Sequence, residues 1–204
     1  MANGTLKVSN IETSSGSGTI TIGQSGETVD LSNGTITGIT QGITMCDEFR
    51  LTSNKTINNT SSDITANLAR TTRAGFSLLG SSGMTESSGV FTFPSTGYYM
   101  VGAVFNYTTT DANRAAAIRI YFTSDNSTYY TIGQASVNAS DDGGSSNSFG
   151  AIYAEYLVDV TDTSNCKVKF DGISNNNSTT FNGDSSSTND TSSCRFLFRR
   201  IGDT

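Results

Sequence analysis

The sequence predicts an all-β fold, a two-sheet sandwich or jelly roll, and three observations carry that expectation. From Val90 onward the apolar residues recur with period two, the spacing of half-buried strands. Clusters of Gly, Asn, Asp and Ser separate these runs at short intervals, as turns between strands require. Of the 204 residues, 34% are hydrophobic and only 15% charged, and the single proline leaves almost every backbone amide free to join a ladder. A net charge of −6 with 9% aromatics is not the composition of a charge-disordered chain.

The elements follow in order. Residues 1–45 contain no aromatic residue, and "TITIGQSGETVDLSNGTITGITQGIT" sets small apolar pairs between Gly-containing turns: Ile20/Ile22, Val29/Leu31, Ile36, Ile39 and Ile43. Isolated hairpins of this size are marginal in water. The pattern predicts a short β-repeat stem whose missing apolar contacts come from copies of itself around a symmetry axis. A flexible Gly/Ser/Thr linker is the alternative.

Residues 46–204 form the second region. "CDEFRLTSN" opens it, and a polar stretch follows through Thr65. "TANLART" offers one helical turn, and no amphipathic helix is visible elsewhere. Strand-like runs then occupy Gly75–Leu79, Val90–Phe93, Gly97–Thr108, Ala115–Thr123, Tyr129–Ile132, Phe149–Val160, Cys166–Phe170 and Cys194–Ile201. Most alternate cleanly. Ala116, Ile118, Ile120 and Phe122 oppose Arg119. Cys166, Val168 and Phe170 oppose Lys167 and Lys169. Ile152, Ala154, Tyr156, Val158 and Val160 oppose Glu155 and Asp159.

The run after Gly97 departs from this rule. One face carries Tyr99, Val101, Ala103, Phe105 and Tyr107, yet the other carries Tyr98, Met100, Gly102, Val104 and Asn106. In a two-sheet sandwich only one face reaches the core. The second apolar register predicts a neighbouring subunit, because contiguous exposed apolar strips mark interfaces. The thin stem asks for self-association independently.

Enzymatic chemistry is largely excluded. The chain has no histidine and no tryptophan, which removes Ser-His-Asp and Cys-His catalysis and every His-based metal site. No Gly-rich phosphate loop ends in Lys-Ser/Thr. Paired carboxylates, as used by glycosidases, are the surviving route, with Asp47–Glu48, Asp141–Asp142 and Glu155/Asp159 as candidates. Solvated surface charge is the expected role of all three pairs. "NASDDGGSSN" and "NGDSSSTND" hold oxygen ligands for calcium, but no EF-hand spacing is present and the same residues make tight turns. No cofactor and no metal are expected. Cys46, Cys166 and Cys194 share no metal or redox spacing and are expected as reduced thiols. A Cys166–Cys194 bridge is the exception left open. The acidic balance argues against nucleic acid and anionic membranes as partners. No stretch approaches a membrane span, and "MANGTLKVSN" lacks a signal peptide, so cytoplasmic synthesis is expected. The Asn-x-Ser/Thr triplets follow from composition.

Three long polar segments, 123–130, 138–148 and 173–190, read as loops on a rigid scaffold, where binding residues gather. Tyr with Ser, Asn and Gly suits sugar or protein surfaces. Tyr129, Tyr130, Asp141, Asp142 and Phe181 are the resulting contact candidates.

"GVFTFPSTGYYMV" resembles the Gly-x-Phe-Thr…Gly-x-Tyr signature of the C1q head, within the tumour-necrosis-factor-like jelly rolls. Gly89, Phe91, Thr92, Gly97 and Tyr99 match, while Val101 stands where the family usually has an aromatic. "YLVDVTDTSNCKVKF" and "SSCRFLFRRI" look like its penultimate strand pair and its closing strand. The resemblance implies a homotrimeric C1q/TNF-like knob over 46–204, with Tyr98, Tyr99, Met100 and Val104 at the trimer interface. The full pattern, from "GTLKVSNIETSSGSGTITIGQSGETV" to the terminal "RRIGDT", is similar to virion appendage proteins of tailed bacteriophages, especially cyanophages. That likeness implies synthesis in the bacterial host cytoplasm and assembly into a virion. Leu6, Val8 and Ile11 of the stem would dock on other tail or capsid proteins. The knob of such a tail fibre would bind a host cell-surface glycan or protein. A head fibre or capsid-decorating spike is the alternative. A glycan depolymerase and a secreted signalling ligand are more distant ones.

Overall fold

The computed structural model describes residues 11, 26, 42–72, 78–109, 113–139, 147–184 and 193–204. The chain divides into two units, residues 1–40 and 41–204. The second unit is all-β, with no helix among the described residues.

The first strand, β1 (Met45–Leu51), turns Met45, Asp47, Phe49 and Leu51 inward. An aspartate at an inward position hides this strand from a hydrophobicity pattern. The polar stretch that follows is also a strand, β2 (Lys55–Asp63), in which Ile57 is the only buried residue. It lies along β10 (Lys167–Phe181), whose register pairs Phe181 with Lys55 and Asp171 with Asp63. Where a helical turn was expected, Leu68–Arg70 forms the short strand β3 on β1. Pairing with Phe49–Leu51 supplies partners that an isolated turn would lack. Of the expected Gly75–Leu79 run, residues 75–77 lie outside the described residues, and Leu79 makes a single bridge to Cys46.

The remaining elements are β4 (Thr85–Ser87), β5 (Val90–Thr92), β6 (Gly97–Thr109), β7 (Asn113–Thr123), β8 (Tyr130–Ala139), β9 (Ser148–Val160) and β11 (Cys194–Gly202). All pairings are antiparallel. One layer runs β3-β1-β11-β6-β9. The other runs from β4-β5 and β2, side by side along one edge of β10, to β7 and β8. The layers join at one corner, where Thr179–Phe181 of β10 pairs with Tyr107–Thr109 of β6. Residues 173–181 are therefore ladder, not loop. Two polar residues hidden within them, Ser174 and Thr179, bond to each other at 3.1 Å, and a bulge separates Ser174 from Ser178.

Between the layers lies an aromatic core. Phe91 stands at its centre, with ring centroids 5.1 Å from Phe49, 5.7 Å from Phe170, 5.9 Å from Phe196 and 4.9 Å from Phe198. Such edge and tilted pairs add to the stabilisation that area burial alone provides. The glycines flanking this strand are needed for their backbone. Gly89 has φ +82° in the β4–β5 turn, and a Cβ there would collide with the Ile64 carbonyl. Gly97 has φ +134°, and a Cβ would lie 2.5 Å from the Gly202 carbonyl oxygen. Both conformations are cheap only for glycine. The "GVFTFPSTGYY" signature is thus a folding device: two forced glycines, a central Phe, and a Tyr whose hydroxyl reaches back to the Ser95 carbonyl.

Candidate functional site

The outward face of β6 and its neighbours is where the sequence placed an interface. Tyr98 is 39% exposed, and Met100 and Val104 are half-buried at the same register positions. Tyr99 is not among them. It is fully buried, packs on Phe93 at 4.8 Å between ring centroids, and donates its hydroxyl to the Ser95 carbonyl at 3.0 Å. Alternation along a strand forces this, because Tyr98 and Tyr99 must point to opposite faces.

β9 extends the apolar face and was not singled out from sequence. Leu157 pairs with Met100 and Tyr153 with Val104, at 46% and 50% exposure. The signal lay in "FGAIYAEYL", which like β6 is apolar in both registers, but Ile152, Ala154 and Val158 drew attention to the core side alone. Between these rows Gly102 contributes no side chain, and the Tyr153 ring and Glu155 side chain lean toward it at 3.7 Å from where its Cβ would be. Burial against the sheet, followed by the hydrogen bond to Glu155, raises the Tyr153 phenol above its ordinary range. On the other side of β6, Arg199 lies 3.5 Å from Glu155, and Arg195 lies 4.0 Å from Glu48. The face is an apolar strip crossed by two loose ion pairs.

The opposite sheet presents a different surface. Lys169 sits above the Tyr129 and Tyr121 rings, at 4.9 and 5.3 Å from their centroids, and pairs with Asp63 at 2.8 Å. Beside it Asp171 is buried under a bidentate Arg119 and accepts from the Tyr121 hydroxyl at 3.1 Å. The hydrogen bond to Asp171 raises the Arg119 guanidinium further. Tyr129 is thus engaged by Lys169, whereas Tyr130 is 65% exposed. Phe181 is not a surface contact. It is fully buried against Phe105 at 5.2 Å, because its strand residue faces the core at the corner between the layers. Asp141 and Asp142 lie outside the described residues, as do Leu6 and Val8. Ile11 is 55% exposed.

The carboxylate pairs do not assemble a catalytic groove. Asp47 and Glu48 are consecutive in β1 and point to opposite faces. Asp47 was expected at the surface, but it is completely buried. It accepts Arg70 Nε at 2.9 Å, Arg70 Nη2 at 3.0 Å and the Met84 amide at 2.8 Å. Glu48 accepts the Thr71 hydroxyl at 3.0 Å. Glu155 and Asp159 are four residues apart on one strand, roughly 13 Å, beyond the separation glycosidase pairs use. Among the described residues no cluster of three metal-ligating side chains occurs. All three cysteines are free thiols. Cys166 and Cys194 are buried, and burial pushes the Cys194 thiol up to about 12.

No family model and no curated protein sequence matches the chain. Solved structures do. The Eiger TNF of S. frugiperda superposes with a TM-score of 0.53 at 9% identity, over 80% of this chain and 96% of that one. Murine APRIL superposes with a TM-score of 0.51 at 8% identity, over 77% of this chain and 98% of that one. The fold is a TNF-like jelly roll. At such identities the likeness concerns backbone alone, so the surface chemistry of this jelly roll must be argued from its own residues.

Proposed function

We propose that this protein is a non-enzymatic, homotrimeric component of a tailed-phage virion, a tail fibre or tail appendage whose jelly-roll knob attaches the particle to the host surface. The single observation that carries the reading is the apolar strip of Tyr98, Met100, Val104, Tyr153 and Leu157 on the outer side of a sheet whose inner side already fills the core. Two further copies of the chain would cover it, and the half-buried Arg199 and Arg195 would border the contact. The N-terminal unit supplies the stem and its docking residues. The virion is the place of action. Attachment through several weak knob sites suits a particle that carries many copies.

Sedimentation of the full chain at micromolar concentration tests the association, with a trimer expected. Val104→Lys and Met100→Lys should release monomers, because a lysine at a dry interface has no partner for its charge. A folded wild-type monomer removes the basis for the reading. Competition of purified protein with phage adsorption tests the attachment role, and no competition at saturation counts against it.

A further inference from the structure

At the corner where the layers join, the outward face changes character. A hollow of about 330 Å³ opens there, lined by Asn54, Thr108, Asn147, Ser178, Thr180 and Asn182, with no charged side chain among the described residues of its wall. The sheet registers explain its uniformity. Phe149, Thr108, Thr180 and Thr56 are successive cross-strand partners on β9, β6, β10 and β2, and therefore share one face. The rows on either side add further amides and hydroxyls. The groups are held in place by one another. Asn182 Nδ2 donates to the Thr108 hydroxyl at 3.0 Å, the Thr56 and Thr180 hydroxyls lie 2.9 Å apart, and Ser178 donates to Asn58. Each carboxamide has two donors and two lone pairs, and each hydroxyl has one donor and two, so these contacts leave capacity for a ligand. Next to the hollow stands Phe149, 71% exposed, the cross-strand partner of Thr108 in the hollow's wall.

We propose that this hollow, with Phe149 as a stacking platform, binds neutral sugar residues of a cell-surface glycan. The proposal rests on the attachment reading above and names its ligand class. A pyranose offers hydroxyls to amide and hydroxyl partners and a flat C–H face to an aromatic ring, and the corner supplies both. Uronic acids, sialic acids and phosphates would call for an arginine or lysine, and the described residues of the wall include neither. The volume falls within the usual range of small-ligand pockets, roughly 300–1,000 Å³.

The test uses the full chain against immobilised neutral tetrasaccharides of glucose, mannose and galactose, with a galacturonic acid tetrasaccharide as the charged probe. Binding to at least one neutral probe and not to the charged one is expected. Phe149→Ala and Asn182→Ala should each weaken it by about tenfold. Phe149→Leu keeps the bulk without the ring and should behave like Phe149→Ala. Ser87→Ala, on β4 beside the opposite end of β10, should change nothing. Melting curves check that each variant keeps its fold. No neutral binding, binding insensitive to both positions, or preference for the charged probe overturns the proposal. A chain that blocks phage adsorption without binding any neutral probe sinks the glycan site alone. One that binds through Phe149 yet leaves adsorption untouched sinks the attachment reading instead.

Discussion

Asp47 offers a sharp test of how this sandwich is tied together. Its carboxylate is completely buried and holds three donors, two from Arg70 on β3 and the amide of Met84 ahead of β4. Asp47→Ala removes all three acceptor contacts. The Met84 amide belongs to a residue only 1% exposed, so it is left without its acceptor, at a cost of about 1–3 kcal/mol. The Arg70 side chain is 37% exposed and can turn to water, so losing its ion pair adds about 1 kcal/mol or less. The total is about 1–4 kcal/mol, which for a domain of this size lowers Tm by roughly 2–16 °C. Asp47→Asn keeps one acceptor for the Met84 amide and should recover most of the larger part. Thermal and urea melts followed by circular dichroism, at one fixed protein concentration, measure both variants. A Tm for Asp47→Ala within a degree of wild type, or an Asn variant as damaged as the Ala variant, refutes the assignment of the amide as the main contribution.

Three further outcomes can be checked together. Phe91→Ala empties the centre of the five-ring cluster and should cost about 3–5 kcal/mol in a urea melt, among the largest single-residue losses in the knob. Asp125 accepts the Thr123 hydroxyl and the amides of Thr128 and Ser127, which lower its pKa to about 2 from an ordinary 3.8. Because the folded value lies below the unfolded one, the loop's contribution is complete above pH ~4 and fades as pH falls toward 2. A carboxyl-detected NMR titration should place the Asp125 midpoint near 2, and a midpoint near 4 would show the loop bonds to be absent in solution. Alkylation at pH 8 under native conditions should spare Cys166 and Cys194, both buried, and modify Cys46 alone if it modifies any thiol. Mass spectrometry of the labelled protein reads this directly, and early labelling of Cys194 would contradict its burial.

Much of the sandwich was legible because its long strands alternate. β6, β7, β9 and β11 lie within a few residues of their expected bounds, and the signature "GVFTFPSTGYY" carries the resemblance to the jelly roll. The strands that escaped share one property. β1 turns an aspartate inward, β2 buries only Ile57, and β3 has three residues, so none carries an apolar period of its own. Each exists because a neighbour offers a ladder edge or, for Asp47, the Arg70 guanidinium.

The surface divides along the same line. From its residues alone, the chain determined that β6 would be apolar on both faces, that histidine and tryptophan chemistry was unavailable, and that thiols would be few. Period and composition are local properties, and a sequence states them outright. Only the tertiary structure decided that Tyr99 and Phe181 serve the core, that Tyr153 and Leu157 continue the strip begun by Met100 and Val104, and that Asn54, Thr108, Ser178 and Asn182 meet at one corner. Those neighbours lie up to about 130 positions apart in the chain, and strand register, fixed by how two layers pack, is the physical agent that brings them together.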